Sequence, residues 1–439
     1  MNTKYFNKLT LLFLILFLSA LNSLAQTTKL PTPREEKLLN GLKLLVWNLP
    51  NAEKVSVQVR IHSGSAFDQQ NKEGTMALLA DALFPNESVK EFFREDLGGN
   101  LEVTSNFDYI QIDATATPDQ FLTLLETLAN AVTNLRIDKE ITAKLRAARL
   151  EKIKELEKNP AYIADQAAAE RLFGDFPYGR SQAGTSETLA KIDFADLMLA
   201  KERFLTPDNT TIAVAGNVKQ DLVIRAARRF FGSWVKADKK VPATFRQPEA
   251  PDSKAIIINS PLIENSEIRY ALRGLSRNDK DFFASAILVK IMQNRLQKEF
   301  TKERQITAFV RQDSNLLPGS IIVGLSNFPF DAKSQLSEKP PRTHMIIFKE
   351  ENLAANLAYE KISAEEFEKA KNEILTEANK KNSADLWLDI DTFKLVSTKD
   401  EFQKINNVSI TDVQKFAARL VKEPTVTVVI VKSTDEKKM

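Results

Sequence analysis

The chain has 439 residues, 43% of them hydrophobic, which is enough to build the cores of two or more domains. Its 61 basic and 58 acidic side chains leave a net charge of +3, so the composition does not support binding to nucleic acid or a polybasic membrane-binding surface. The sequence contains no cysteine and two histidines, His62 and His344, which excludes thiolate zinc sites, iron–sulfur clusters, a cysteine nucleophile and any pair of histidines four residues apart.

Residues 1–25 have the pattern of a signal peptide. Lys4 and Lys8 precede an apolar run at residues 11–21, and small residues at Ser23 and Ala25 mark a cleavage position. The alternative is a retained membrane anchor, but the run is short for a bilayer span. No cysteine follows it that could carry a lipid. We therefore expect cleavage after Ala25 and an exported mature chain, periplasmic or secreted, without a stable membrane span.

The first half of the mature chain contains predicted strands and helices in a mixed order. Alternating hydrophobicity predicts a strand at Val55–His62, and an apolar stretch predicts a helix at Gly74–Phe84. A further strand is predicted at Tyr109–Ala114, and long helices at Pro118–Leu135 and Glu140–Glu157. His62 lies on the polar side of its predicted strand, and we expect it to be exposed and functionally incidental.

The two halves end in the same pattern. Residues 192–216 match the stretch that begins at Val408 when they are shifted by 216 positions without a gap. Asp196 then falls on Asp412, Arg203 on Arg419 and Thr211 on Thr427, while the prolines miss each other by one position. Each copy predicts a helix N-cap, an amphipathic helix and a β-branched strand. This repeat indicates an internal duplication.

The second half repeats the order of elements. Strands are predicted at Glu267–Gly274 and Ser320–Leu325, and helices at Asp281–Met292 and Ser363–Lys380. Ser363 and Glu366 have the spacing of a capping box at the start of the last helix. His344 lies in an apolar stretch, and we expect it to be incidental.

These patterns together predict an α+β fold. Residues 236–253 are charged and rich in proline, as is typical of a linker. We therefore predict two homologous halves, residues 30–235 and 254–433, each a largely antiparallel sheet packed with helices. A second loop is predicted at residues 331–342, which contain two consecutive prolines.

The segments Gly64–Asp68 and Gly74–Phe84 resemble the signature region of the pitrilysin/insulinase family of zinc metallopeptidases. Phe176–Arg180 and Leu205–Asn209 resemble two further segments of that family, and the resemblance extends over nearly the whole mature chain. It implies that the chain forms one half of the family's clam-shell. It also implies an inverted zinc motif, in which two histidines four residues apart bind the metal and the glutamate between them activates water.

The residues required for that chemistry are replaced here. Aligned without a gap, the first histidine of the motif falls on Ala77, the glutamate on Ala80 and the second histidine on Asp81. The third zinc ligand of the family, a glutamate on a later helix, falls on Lys152. The neighbouring Glu151 is about 100° away around that helix. We therefore predict no catalytic residues, no metal and no cofactor, and a solvated helix face at Glu151, Lys152, Glu155 and Glu157.

The resemblance also bears on contact with substrate. In many two-chain members, the subunit without zinc holds the peptide with an arginine and a tyrosine. These positions fall on Thr301 and Ala308 here, so a role in holding substrate is in question. Arg304 and Phe309 are adjacent and are the candidates for substrate contact.

Three functions therefore remain open. The first is an exported non-catalytic subunit that forms a chamber wall, as a heterodimer, with a zinc-bearing family member and contacts peptide substrates. The second is a structural or assembly protein, like the silent relatives among the core subunits of respiratory complex III. The third is an active zinc peptidase with an unrecognised site.

Overall fold

The structure is a computed structural model that describes residues 31–237, 241, 245–246, 248–261, 263, 265–300, 306–328 and 353–432. The predicted signal peptide, the predicted loop at 331–342, and His344, Thr301 and Arg304 lie outside the described residues.

The N-terminal half contains a six-stranded sheet in the order β1-β2-β6-β3-β5-β4. All neighbouring pairs are antiparallel except β2 and β6. The strands are β1 (Arg34–Lys37), β2 (Lys43–Asn48), β3 (Val55–Ile61), β4 (Leu101–Ser105), β5 (Ile110–Ala116) and β6 (Thr210–Gly216).

Eight helices belong to the described part of this half. They are α1 (Thr75–Leu83), α2 (Ser88–Glu95), α3 (Phe121–Thr133), α4 (Lys139–Leu156), α5 (Pro160–Phe173), α6 (Ser186–Lys191), α7 (Phe194–Phe204) and α8 (Gln220–Phe231). Helices α1, α3 and α8 bury their apolar faces against one face of the sheet, where Val57, Val59 and Ile212 are fully buried. Burying apolar side chains in this way stabilises the half by roughly 25 cal/mol for each Å² of apolar surface removed from water.

The C-terminal half contains a five-stranded sheet in the order β7-β11-β8-β10-β9. Here too one pair, β7 and β11, is parallel, and the other pairs are antiparallel. The strands are β7 (Ile256–Ser260), β8 (Ser266–Arg273), β9 (Thr307–Gln312), β10 (Ser320–Phe328) and β11 (Val426–Lys432). The helices are α9 (Phe282–Phe300), α10 (Leu353–Tyr359), α11 (Ala364–Lys380), α12 (Ser383–Phe393), α13 (Thr398–Asn407) and α14 (Ile410–Leu420).

The two sheets repeat one plan. In each, the last strand of the half pairs in parallel with the first core strand and antiparallel with the next. The repeated helices α7 and α14 both begin with a capping box, formed by Asp193 with Asp196 and by Ser409 with Asp412. The α+β fold with two sheets packed with helices, predicted from the sequence, is confirmed. The residue bounds of the two halves and the linker remain a prediction.

Each half sends one helix across to the sheet of the other half, and we call α5 and α12 the crossing helices. Ala164 and Ala168 of α5 pack on Val428 and Ile430 in the C-terminal sheet. In return, α12 packs on the N-terminal sheet, where its Leu388 contacts the cluster around Trp47. Both sheets are therefore covered on both faces, and each half completes the core of the other.

A buried arginine joins each sheet to its crossing helix. Arg60 on β3 is 2% exposed, and its Nη1 donates to Asp389 of α12 at 2.7 Å. Arg269 on β8 is 1% exposed, and its Nε donates to Asp165 of α5 at 2.5 Å. Arg60 lies opposite Thr211 in its sheet and Arg269 lies opposite Val428, and each arginine is on the sheet face that a crossing helix covers.

The expected exposure of His62 was wrong, while its having no functional role stays a prediction. Its ring is held between the hydroxyls of Thr211 and Thr392, each 3.0 Å from a ring nitrogen. The polar side of the strand is not solvated there because α12 covers that face of the sheet. Burial lowers the pKa of His62 to about 3, although the nearby Asp391 acts in the opposite direction.

Candidate functional site

The start of α1 is built by the residues that carry the family signature. The buried Asp68 carboxylate accepts the backbone N–H of Gly74 and of Met76, each at 2.8 Å, and so binds the otherwise unpaired donors of the first helical turn. Burial raises the pKa of Asp68 to about 7, while these two hydrogen bonds and Arg180 act in the opposite direction. The carboxylate thus has a structural role at the helix start.

Two glycines of the signature are required by geometry. A Cβ at Gly64 would lie 2.0 Å from the carbonyl oxygen of Asn106. Gly74 has a positive φ of 98° and lies against the backbone of Ala183, so a side chain there would be strained and would collide. The signature is therefore maintained by packing even where the metal ligands are replaced.

The residues at the motif positions do not fit a zinc ion. Ala77 and Ala80 are 1% and 4% exposed and offer only methyl groups. Lys152 would bring a positive charge next to a cation, and its side chain is 64% exposed. Across the described ranges, no group of three or more histidine, aspartate or glutamate side chains is placed to hold a metal ion. A zinc site normally requires three such protein ligands.

Asp81, the remaining carboxylate of the motif, is held by basic residues of α4. Arg149 donates from Nε to Asp81 Oδ2 at 2.9 Å and from Nη2 to the Ala77 carbonyl oxygen at 2.9 Å. Lys152 Nζ lies 3.9 Å from the other carboxylate oxygen. One guanidinium group therefore contacts α1 at both positions that align with the family's histidines, through the main chain of Ala77 and the side chain of Asp81.

The helix face predicted around Lys152 is solvated, as expected. Glu151 and Glu155 are exposed and form ion pairs one turn along the helix with Lys154 and Lys158. Exposed pairs of this kind are screened by solvent and contribute little to stability. They give no sign of a metal ligand displaced by one residue.

A cleft of about 410 Å³ separates the two halves beside this ion pair, and we call it the central cleft. One wall comes from the N-terminal half and the other from β9, β10 and the loop between them. Its lining includes Ala77, Ser105, Phe107, Arg149, Tyr162, Asp165, Gln166, Tyr178, Arg180, Gln182, Arg311, Asp313, Asn315 and Ser320. Ala77 of the motif and the neighbouring Arg149 thus line an open cleft between the halves.

On the far wall of the central cleft, Arg311 is held by Asp165 and Phe309. Arg311 Nη2 donates to Asp165 at 2.9 Å, so Asp165 accepts from both Arg311 and the buried Arg269. Phe309 is half-buried, and both guanidinium groups lie over its ring, at 5.0 Å for Arg269 and 5.4 Å for Arg311. Phe309 supports Arg311 from beneath, and whether it also contacts substrate remains a prediction.

Hydrogen bonds join the two halves next to Tyr178, which lines the cleft. The Tyr178 hydroxyl donates to Asp108 at 2.9 Å, and the amides of Leu316 and Leu317 donate to Asp108 and to the Tyr178 oxygen at 3.1 and 3.0 Å. Burial raises the pKa of Asp108 to about 6, although the Leu316 amide and Tyr178 act in the opposite direction. We call these four residues the inter-half contact.

The sequence analysis named Ala77, Ala80, Asp81 and Lys152, which lie on helices α1 and α4. Ala77 and Asp81 lie one turn apart on α1, and Lys152 reaches Asp81 from α4. It missed Arg149, which makes the shortest contacts to the motif. The available signal was the spacing of Arg149 and Lys152, which puts two cations on one face of the helix that carries the third ligand in the family.

Comparison with family models decides the family. Residues 43–186 match the model described as Insulinase (Peptidase family M16), and residues 191–374 match the model described as Peptidase M16 inactive domain. The chain belongs to the M16 peptidase family. The resemblance to pitrilysin/insulinase peptidases is thereby confirmed.

Curated relatives of this M16 chain are distant. It is 24% identical over 216 residues to an uncharacterized zinc protease of Rickettsia felis, covering 48% of this chain and 52% of the relative. It is 24% identical over 284 residues to the uncharacterized zinc protease YmxG of Bacillus subtilis, covering 63% of this chain and 66% of the relative. The matched region therefore spans about half the length of the Rickettsia relative.

Solved M16 structures share the fold over nearly the whole chain. A protease from Helicobacter pylori superposes with a TM-score of 0.80 at 17% identity, covering 92% of this chain and 100% of that one. A peptidase M16 inactive domain from Pseudomonas fluorescens gives a TM-score of 0.78 at 17% identity, covering 93% and 99%. A chain of complex III2 from Candida albicans gives 0.71 at 16% identity, covering 90% and 95%.

In the part of the chain that the structure describes, no helix is long and apolar enough to cross a bilayer.

Proposed function

We propose that this M16 chain is an exported, non-catalytic subunit that pairs with a zinc-bearing family member and forms one wall of the peptide chamber. The observation that carries the proposal is the ion pair at the motif. Arg149 binds both the Ala77 carbonyl oxygen and the Asp81 carboxylate, where a catalytic member would hold its metal.

The loss of the ligands leaves the scaffold around them intact. Asp68 still binds the first turn of α1, and Gly74 still permits the approach of Ala183. A wall that positions a peptide needs shape and backbone contacts rather than a metal. Replacing imidazoles and a carboxylate by alanine also removes buried polar groups that would need partners. The maintained shape with altered chemistry supports a geometric role.

The alternative is a structural or assembly role without proteolysis. The similarity to a chain of complex III2 supports this alternative, because that chain shares the fold over 95% of its length. An active peptidase with an unrecognised site is the third reading. The replaced positions Ala77, Ala80 and Lys152 count against it, since a zinc centre needs ligands that they do not supply.

Purification of the tagged chain from the exported fraction of its native host tests the proposal. We expect a zinc-bearing M16 chain to copurify with it. We also expect the chain alone, after dialysis, to hold far less than one zinc per molecule and to cleave no unstructured peptide.

Four results would contradict the proposal. One tightly held zinc per chain, or proteolysis by the chain alone, supports the active-peptidase reading. Copurification with a membrane complex and no M16 partner supports the structural reading. Recovery of the chain from the cytosol with its N-terminus intact would refute export.

A further inference from the structure

The central cleft brings guanidinium groups together from both halves. Arg149 approaches from α4, Arg180 from the loop after the short turn Pro177–Gly179, and Arg311 from β9 on the opposite wall. Their side chains are 15%, 17% and 43% exposed, so two are largely desolvated. Charge-assisted hydrogen bonds to such groups are stronger than those formed in open solvent.

These arginines keep donors that their protein partners do not use. The recorded contacts of Arg149 involve Nε and Nη2, although a guanidinium group has five N–H donors. Among the described residues, Arg180 Nε is buried without a hydrogen-bond partner. A buried donor without a partner lowers the stability of the folded chain.

The acidic groups of the cleft are already engaged. Asp165 is shared by Arg269 and Arg311, and Asp313 accepts both the amide and the hydroxyl of Ser320. Asp81 is shared by Arg149 and Lys152. Asp165 and Asp313, which line the cleft, therefore accept two hydrogen bonds each, while the guanidinium groups retain free N–H bonds. An incoming group that supplies acceptors would complete the site.

We infer that the central cleft binds peptides through their carboxylate groups, with Arg149 and Arg311 on opposite walls as the anchors. Planar guanidinium groups match a carboxylate with two parallel hydrogen bonds, which an ammonium group does not. The positive charge at the degenerate motif thus serves as an anchor for glutamate, aspartate or a free C-terminus. This inference rests on the proposed function, since it assumes that the cleft belongs to a chamber wall that contacts peptide.

The test compares two fluorescent peptides of equal length with blocked ends, one rich in glutamate and one with glutamine at the same positions. Anisotropy is measured with the full mature chain alone. At low salt we expect the glutamate peptide to bind about tenfold more tightly, as charge-assisted hydrogen bonds predict. The difference should shrink at ~1 M salt, where the screening length falls to about 3 Å. Equal binding of the two peptides would overturn the inference.

Variants locate the site. Two variants are compared: Arg311→Gln, and the double variant Arg149→Gln with Asp81→Asn. Each should lower the affinity for the glutamate peptide about tenfold and leave the affinity for the glutamine peptide unchanged. Asp81 is replaced together with Arg149 so that its carboxylate is not left without its arginine partner. Arg228→Gln is the matched control, because Arg228 is 60% exposed, pairs with Glu36 and lies outside the cleft.

An equal loss in the control, or no loss in the two cleft variants, would also overturn the inference. The experiment uses no partner chain. Its failure is therefore distinguishable from failure of the proposed subunit role, which is measured by stimulation of a zinc-bearing chain.

Discussion

A single guanidinium group determines the chemistry of the degenerate motif. Arg149 is 15% exposed and binds both a main-chain carbonyl and the Asp81 carboxylate, so both are satisfied without a metal. Removing Arg149 alone would leave Asp81 with Lys152, whose ammonium is 3.9 Å away and largely solvated. The site is therefore an ion pair in a partly desolvated position, where breaking one partner costs more than the pair contributes.

Restoring the four motif positions should not restore a zinc site. The variant Ala77→His, Ala80→Glu, Asp81→His and Lys152→Glu keeps Arg149, a cation that would lie beside the metal and repel it. We expect zinc to bind at least about tenfold more tightly when Arg149→Gln is added, as measured by metal analysis after dialysis against a competing chelator.

Peptidase activity should remain poor even in the five-position variant, because the groups that orient zinc ligands are not restored. Equal zinc affinity of the four- and five-position variants would show that Arg149 does not oppose the metal. The unmodified chain, treated in the same way, is the control.

At the level of elements, the position of each crossing helix depends on an ion pair with a buried arginine. Arg60 contacts Asp389 and Asp385 of α12 and Gln111 of β5, and its guanidinium also lies 4.2 Å from the centre of the Tyr109 ring. The pair with Asp389 is 2% and 5% exposed, so it is isolated from solvent. Arg60 and Asp389 come from different halves, and their ion pair fixes where α12 lies on the sheet.

Arg60→Leu should destabilise the chain by about 3–5 kcal/mol, because Asp389 is left as a buried charge with Lys381 alone. Chemical denaturation measures the free energy of unfolding. The double variant with Asp389→Leu should recover part of the loss, since no unpaired charge remains. Arg34→Leu is the control, because its pair with Asp221 is 43% and 70% exposed and is worth at most about 1 kcal/mol. Similar losses in Arg60→Leu and Arg34→Leu would contradict this account.

The inter-half contact should make stability depend on pH. The pKa of Asp108 is raised from 3.8 to about 6, so the folded chain holds this proton more tightly than the unfolded chain. Its contribution is therefore complete below about pH 4 and is lost as the pH rises to about 6. The difference between 3.8 and about 6 corresponds to at most about 3 kcal/mol.

Asp108→Asn should accordingly flatten the fall in unfolding free energy between pH 4 and 6, measured by denaturation at several pH values. Asp119→Asn is the matched control at an exposed position and should leave the slope unchanged. An unchanged slope in Asp108→Asn would show that this carboxyl does not titrate in that range.

For the whole molecule, the crossing helices bind the two halves together across the cleft. The polypeptide between residues 236 and 254 is therefore not what keeps them in place. Limited proteolysis should cut first in that segment, and the fragments should stay associated on gel filtration, because α5 and α12 remain packed on the opposite sheets. Separation of the fragments without denaturant, or early cleavage inside Val55–Ile61 or Val426–Lys432, would contradict this.

Periodicity and local caps made much of the fold predictable. The strand at Val55–Ile61, the helix at Ala364–Lys380 with its Ser363 cap and the repeated helix–strand units all follow from short-range patterns. The exchange of α5 and α12 between the halves was not predictable, since it depends on contacts between residues more than 100 positions apart.

The same limit applies to the candidate site. The replaced ligands Ala77, Ala80 and Asp81 can be read from the sequence because they lie within one motif. Arg149 is 68 residues from Asp81, and that pairing becomes visible only when α1 and α4 are packed together. His62 was assigned to solvent for a similar reason, because the helix that covers it comes from the other half.

The central claim is that this M16 chain contributes geometry and no chemistry to a zinc-bearing partner. The measurement that tests it most directly is hydrolysis of an unstructured peptide by the purified partner, with and without this chain. We predict that the mixture cleaves faster than the partner alone, that a complex elutes on gel filtration, and that this chain alone is inactive. If the partner alone cleaves as fast as the mixture and no complex elutes, the claim is contradicted.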